Sequence, residues 1–190
     1  MQREQLEYAA ARYGTPIYIF DLDMLKRQAD RLKQALGKEA GLCYAMKANP
    51  FLTKEMAEQT DRIEVCSMGE FEICRQLEIP PEKLFVSGVL KKKEDIYNIL
   101  NTYGDKCRYT VESVKQLHYF LEWSDAHMKK LRLYPRLTNG SQFGMDEDTI
   151  RSVFGIVNMS PYLEIEGIHY FSGTQKRHLR QFRQELEMLD

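Results

Sequence analysis

The chain has 190 residues, which suits a single core but falls short of the ~250 of a complete (β/α)₈ barrel. Its 27 Lys and Arg against 28 Asp and Glu leave a net charge of −1, so it lacks the basic balance that draws proteins to nucleic acid or an anionic membrane. No apolar run approaches the ~20 residues of a membrane span, and the stretch up to Gly14 is charged and periodic rather than signal-like, so a soluble, cytoplasmic protein is expected.

In chain order, residues 5–13 predict a helix closed by Gly14. Thr15-Pro16 leads into a β-rich run over 17–20. Asp21 or Asp23 can cap a helix over 24–36, with Leu25, Ala29, Leu32 and Leu36 on one face and Gly37 at its end. Residues 1–40 thus form a leading segment. From 41 to 190 a strand–helix beat repeats. Strands are expected over 42–46, 62–66, 84–87, 108–111, 131–137 and 165–171. Helices are expected over 53–59, 69–77, 93–103, 114–124 and 146–157, with a last one from about 175 onward. Strands alternating with helices predict an α/β fold with a parallel sheet, in about six βα units. The periodicity alone leaves open whether the sheet is doubly wound or part of a barrel. Cys43, Cys66, Cys74 and Cys107 form no CxxC pair and are expected as buried free thiols. His118, His127, His169 and His178 lack zinc-site spacing.

In parallel α/β proteins the working residues lie where strands end. Candidates there are Lys47-Ala48-Asn49, Ser67 to Glu70, Ser87-Gly88, Glu112-Ser113, Arg136, and Ser172 to Gln175. Lys47 follows an apolar strand, where partial desolvation lowers an amine pKa and frees a nucleophile toward carbonyls. On position alone, a strand-end lysine reaching solvent is the commoner case. Ser172-Gly173-Thr174 suits a phosphate at a helix N-terminus, or is an ordinary cap. Arg136 suits an anionic group or a structural ion pair. His169 in its strand is more often a satisfied core residue than a catalyst. Lys91-Lys92-Lys93 reads as a solvated helix start.

Several segments resemble, in order, the ornithine/diaminopimelate/arginine decarboxylase family of fold type III pyridoxal-phosphate enzymes. Tyr44-Ala45-Met46-Lys47-Ala48-Asn49 is similar to its Y-x-(V/M)-K-A-N signature. The run from Gly14 to Asp21 resembles G-T-P-x-Y-x-Y-D, and Glu64 to Glu70 resembles D-V-x-S-x-G-E. Pro80 to Lys83 with Phe85-Val86-Ser87-Gly88 resembles the third strand and its lead-in. Arg136 with Gln142-Phe143-Gly144-Met145 resembles the fifth-strand arginine and K-F-G, and Gly167 to Gln175 resembles G-L-H-x-H-x-G-S-Q. The resemblance implies a pyridoxal-phosphate-binding (β/α)₈ TIM-like barrel, truncated to about six units. It implies that Lys47 holds the cofactor as a Schiff base and later returns a proton. Gly173 and Thr174 would bind its phosphate, and Arg136 and His169 would orient its ring.

Departures from the pattern matter as well. Phe171 stands where most members carry a ring-stacking histidine, Glu64 replaces an aspartate, and Gln142 replaces a lysine or arginine. These features resemble a side branch, some of whose members act on amino acids tethered to carrier proteins. The glycine-rich phosphate loop, the E-P-G-R segment and the C-terminal β domain are absent from the sequence. The expectation is therefore an N-terminal portion of an amino-acid decarboxylase, inactive in isolation and homodimeric at full length. The alternatives are a racemase-like or cofactor-carrier barrel, and a non-catalytic relative serving as a binding module.

Overall fold

The computed structural model describes residues 3–88, 91–174 and 179–189. Among the described residues there are seven strands: β1 (Cys43–Ala45), β2 (Arg62–Val65), β3 (Leu84–Val86), β4 (Arg108–Val111), β5 (Leu131–Leu137), β6 (Leu163–Ile165) and β7 (His169–Tyr170). They are preceded by α1 (Arg3–Tyr13) and α2 (Leu22–Leu36), and interleaved with α3 (Thr53–Gln59), α4 (Met68–Gln76), α5 (Lys93–Tyr103), α6 (Val114–His127) and α7 (Glu147–Asn158). The last described helix is α8 (Leu179–Leu189). Its expected start near Gln175 lies outside the described residues.

All strand pairs are parallel, in the order β1-β2-β3-β4-β5-β6, with β7 pairing the far end of β5. That order resolves the ambiguity left by the periodicity. A doubly wound sheet reverses direction at a switch point, which puts helices on both faces. Here each strand adds on the same side of its predecessor, so right-handed crossovers place every connecting helix on one face. The result is an arc of a barrel wall, six strand positions long.

Strand alternation then decides what lies on each face. Ile63, Val65, Leu84, Val86, Tyr109, Val111, Leu131 and Leu133 are buried on the outer face. They pack against Phe71, Ile96, Ile99, Leu117, Phe120, Ile150 and Val153 of the helices. Burying each such side chain contributes roughly 1.5–3 kcal/mol, so this outer layer holds the wall together. The intervening residues face the inside of the arc and are mostly polar: Glu64, Thr110, Arg132 and Arg136, with Phe85 and Tyr134 in edge-to-face contact at 5.0 Å. Farther from the strand ends, Arg108 forks onto Glu166 through Nε (2.6 Å) and Nη2 (3.0 Å), and the Tyr134 hydroxyl donates to the same carboxylate at 2.8 Å.

Four expectations change. The strand expected over 165–171 is two short strands, interrupted over 166–168 around Gly167. A Cβ there would lie 2.9 Å from Tyr134 Cε1, so the backbone rests directly on that ring. The β-rich run over 17–20 forms no strand. No described neighbour pairs with it, and an unpaired strand leaves its backbone to water; Tyr18 is 93% exposed. The apolar stripe of α2 is largely uncovered, with Ala29 buried but Leu32 and Leu36 exposed. Of the four free cysteines, Cys74 and Cys107 are buried, and burial pushes their thiols up to about 11 and about 12. Cys43 is instead exposed and Cys66 half-buried. Among the described residues no helix is long and apolar enough to cross a membrane.

Candidate active site

The segment around Lys47 shows how local sequence places one amine. Met46 is fully buried in the outer layer, beside Cys74 Sγ at 3.6 Å from its sulfur. Anchoring Met46 outward turns its successor, Lys47, toward the inside of the arc. The chain then tightens into a 3₁₀ turn over Met46–Ala48. Tyr44 and Asn49 brace that turn: the Tyr44 hydroxyl donates to the Asn49 carbonyl at 2.8 Å, and Asn49 Oδ1 accepts from the Phe51 amide at 3.1 Å. The tyrosine and asparagine of the motif are therefore struts for the lysine between them.

The neighbouring strand end is fixed by a related device. Ser67 caps α4 by accepting from the Glu70 amide at 3.2 Å, and Glu70 reaches back to accept from the Cys66 amide at 2.6 Å. The loop leaving β3 passes close by. Gly88 has φ +104°, and a Cβ there would sit 2.5 Å from the Cys66 carbonyl oxygen. Only glycine allows that approach.

These strand ends enclose a cleft of about 310 Å³ lined by Lys47, Glu64, Cys66, Ser87, Gly88, Arg136, Phe143, His169 and Phe171. Lys47 Nζ lies 3.4 Å from Glu64 Oε2 and 3.9 Å from Cys66 Sγ. The other Glu64 oxygen accepts from Ser87 Oγ at 2.8 Å, which leaves one oxygen for the ammonium. Here the expected electrostatics are reversed. Burial does pull the Lys47 pKa down, but the side chain is 55% exposed, and the charge and hydrogen bond of Glu64, with Cys66 and Glu70, outweigh it. The net shift is upward, so Lys47 rests as an ammonium.

Arg136 crosses the cleft floor. Its Nη1 pairs with Glu112 Oε2 at 3.0 Å, and its guanidinium lies 5.6 Å from the Phe143 ring and 5.9 Å from the Phe171 ring. Both readings of Arg136 thus hold at once: it is ion-paired and it lines the cleft. His169, opposite Arg136 in the β5–β7 register, is not the satisfied core histidine that position favours. Its Nδ1 is buried with no hydrogen-bond partner among the described residues. Burial, reinforced by Arg136 and Lys91 against Glu112 and Glu64, lowers its pKa, so the ring is neutral at pH 7. The Phe171 ring lies 5.9 Å from Lys47 Nζ, and its carbonyl accepts from Asn139 Nδ2 at 3.0 Å.

Four of the six expected site residues, Lys47, Arg136, His169 and Phe171, therefore meet in one cleft. Gly173 and Thr174 do not line it. Both are exposed, and the helix they were expected to open is described only from Leu179, with Gln175 to His178 outside the described residues. Lys91 was misread: it is a half-buried residue whose ammonium is enclosed, not a solvated one. Its place at the end of the β3 loop was the available signal.

The donor set fits pyridoxal phosphate. An amine is present for its aldehyde, an arginine for an anionic substituent, an aromatic face for a ring, and an unpaired buried imidazole nitrogen for a polar atom. The cleft volume falls at the lower end of the ~300–1,000 Å³ typical of small-molecule sites.

Comparison with known proteins agrees. Residues 22–189 match the family described as "Pyridoxal-dependent decarboxylase, pyridoxal binding domain". The chain is 27% identical to a diaminopimelate decarboxylase of Aquifex aeolicus, over 96% of this chain and 47% of that protein. It is 28% identical to the L-glutamyl-(BtrI acyl-carrier protein) decarboxylase of Niallia circulans, over 92% of this chain and 45% of that protein. A crystal structure from Aquifex aeolicus superposes with a TM-score of 0.82 at 28% identity, covering 96% of this chain and 45% of that one. A Helicobacter pylori diaminopimelate decarboxylase complexed with L-lysine shares the fold with a TM-score of 0.83 at 22% identity, covering 97% of this chain and 51% of that one. The chain spans about half the length of the relatives it matches.

Proposed function

Because the chain belongs to the pyridoxal-dependent decarboxylase family, matching its pyridoxal-binding domain over residues 22–189, we propose that it is the cofactor-binding portion of an amino-acid decarboxylase, with Lys47 as the lysine that holds pyridoxal phosphate. The observation that carries this reading is the convergence of Lys47, Glu64, Arg136, His169 and Phe171 on one cleft at the strand ends.

When bound, pyridoxal phosphate supplies a conjugated ring able to accept the electron pair released as a carboxylate leaves. The chain's own residues do the rest. Glu64, 3.4 Å from Lys47 Nζ, holds a proton at that nitrogen and is placed to take it when the amine must act as a nucleophile. Lys47 is the group that can return a proton to the substrate carbon. Arg136 offers a fixed positive charge, pre-oriented by Glu112. Phe171 gives an aromatic face but no hydrogen bond, so stacking without proton sharing is its contribution. His169 presents a neutral ring nitrogen. Gly173 and Thr174 remain proposed phosphate contacts.

The proposed substrate is an amino acid. The relatives named above provide both patterns, a free amino acid and one tethered to an acyl-carrier protein. A homodimer is proposed for the whole protein. Adding pyridoxal phosphate to the whole protein is expected to give a visible absorbance band that Lys47→Ala abolishes. Carbon dioxide release from amino acids then separates a decarboxylase from a racemase-like or carrier barrel. Absence of the band in the wild type would favour a non-catalytic binding module and overturn the assignment.

A further inference from the structure

Beside the cleft, at the strand ends, Lys91 occupies an unusual place. It leaves the β3 loop and turns under the end of β4, where its Nζ donates to the Thr110 carbonyl at 3.0 Å and to Thr110 Oγ1 at 2.9 Å. An ammonium has donors only, so the Thr110 hydroxyl accepts from it and must direct its own proton elsewhere. That proton goes to Glu112 Oε1, 3.1 Å away. The opposite oxygen of Glu112 takes Arg136 Nη1 at 3.0 Å, and the Glu112 amide is tied to Gln116 Oε1 at 2.9 Å. Glu112 and Arg136 are nearly enclosed, with side chains 2% and 12% exposed.

We propose that Lys91 is a positioning residue of the cleft: acting through the Thr110 hydroxyl and the Glu112 carboxylate, it fixes the Arg136 guanidinium that the cleft offers to an anionic ligand. The inference rests on the cofactor reading for the ligand's identity, but not for the relay itself. The relay has a definite direction, Lys91 to Thr110 to Glu112, with Arg136 closing the far end. The charge balance also matters. Lys91 and Arg136 together exceed Glu112 by one positive charge, and that excess sits beside the cleft. Lys91 is faced by Glu64, Cys66, Glu112, Arg136 and His169 on the strands and their ends, Asp95 on α5 and Lys115 on α6, with Lys92, Lys93 and Glu94 next in its own chain. Burial dominates these and brings its pKa down to about 8. The excess charge is therefore present at pH 7 and lost as pH rises through that value.

The test measures Arg136 directly, in the whole protein without cofactor. Its modification by phenylglyoxal is followed by peptide mapping in wild type, Lys91→Met, Thr110→Val and the double variant. Loss of one charged hydrogen bond is expected to raise the Arg136 rate about tenfold or more in each single variant. In the double variant the rate should rise no further, as expected for members of one chain. An unchanged rate in folded Lys91→Met, or additive effects in the double variant, overturns the proposal. If Lys91→Met does not fold by circular dichroism, an unchanged rate in Thr110→Val overturns it instead. The second readout is pyridoxal phosphate affinity from the Lys47-dependent band. Lys91→Met should bind about tenfold more weakly at pH 7, as for a charged hydrogen bond, with the gap narrowing above pH 8. A gap independent of pH counts against the charge argument and overturns it. If the wild type shows no Lys47-dependent band, the cofactor reading fails, and Arg136 reactivity alone decides the role of Lys91.

Discussion

At Lys47 two opposing effects act on one nitrogen. Burial favours the neutral amine that attacks a carbonyl, while Glu64 at 3.4 Å favours the ammonium, and Glu64 with its neighbours prevails. The residue is poised as a proton donor rather than a standing nucleophile. Glu64→Gln keeps the shape and removes the charge that chiefly opposes burial, leaving only the weaker influence of Cys66 and Glu70 against it. The Lys47 pKa is expected to fall, and the pH midpoint for condensation with pyridoxal phosphate should move to lower pH. Band formation measured from pH 6 to 10 in both proteins checks this; a midpoint unmoved or raised removes Glu64 from the role. The position of Lys47 was legible in the sequence because one strand, one alternation and one motif place it. Its electrostatics were not, since Glu64 lies on a different strand. Lys91 failed for the same reason. Three consecutive lysines look solvated, and nothing local announces that the first bonds Thr110, nineteen residues on.

At the level of single elements, helices and strands were both readable, and the strands at 108–111 and 131–137 fall at their expected bounds. The helices at 53–59 and 93–103 also fall at their expected bounds, because an apolar stripe is a local signal. The sixth strand was not readable in detail. Its residues run β-rich from Leu163 to Phe171, and the break depends on Tyr134 of another strand standing under Gly167. Loop geometry at the cleft depends on a similar close approach. Gly88→Ala would place a methyl 2.5 Å from a backbone oxygen at φ +104°, and neither partner is a flexible side-chain end. The strain is expected to cost about 1–3 kcal/mol, read as a lower urea midpoint with an unchanged slope. Because Cys66 and Ser87 border both that contact and the cleft, pyridoxal phosphate affinity should fall with it. A variant as stable as the wild type would mean that the β3 loop can swing away freely.

Across the whole molecule, the sheet separates two kinds of interior. A parallel sheet covered on both faces has near-continuous apolar strands. Here Arg62-Ile63-Glu64-Val65 and Leu131-Arg132-Leu133-Tyr134 alternate instead, which marks one face for helices and the other for the inside of a barrel. That signal was present in the sequence, but short strands make it easy to pass over. The inner face is held by polar contacts across strands, chiefly the Arg108–Glu166 fork with Tyr134. Burial opposes the charge on Glu166, yet Arg108 and Tyr134 outweigh it and hold its pKa below the ordinary carboxylate value. A group whose folded pKa is depressed stabilises the fold above its unfolded pKa and ceases to do so as pH falls through the folded value. Glu166→Gln should therefore be less stable than wild type by about 1–3 kcal/mol at pH 7, the range for hydrogen bonds to charged groups. The difference should shrink progressively below about pH 4, near the unfolded glutamate value. Urea unfolding of both proteins at pH 7, 5 and 3 measures it. A difference independent of pH would assign the loss to packing on Tyr134, and the ion pair would then contribute nothing to holding β4 against the end of β6.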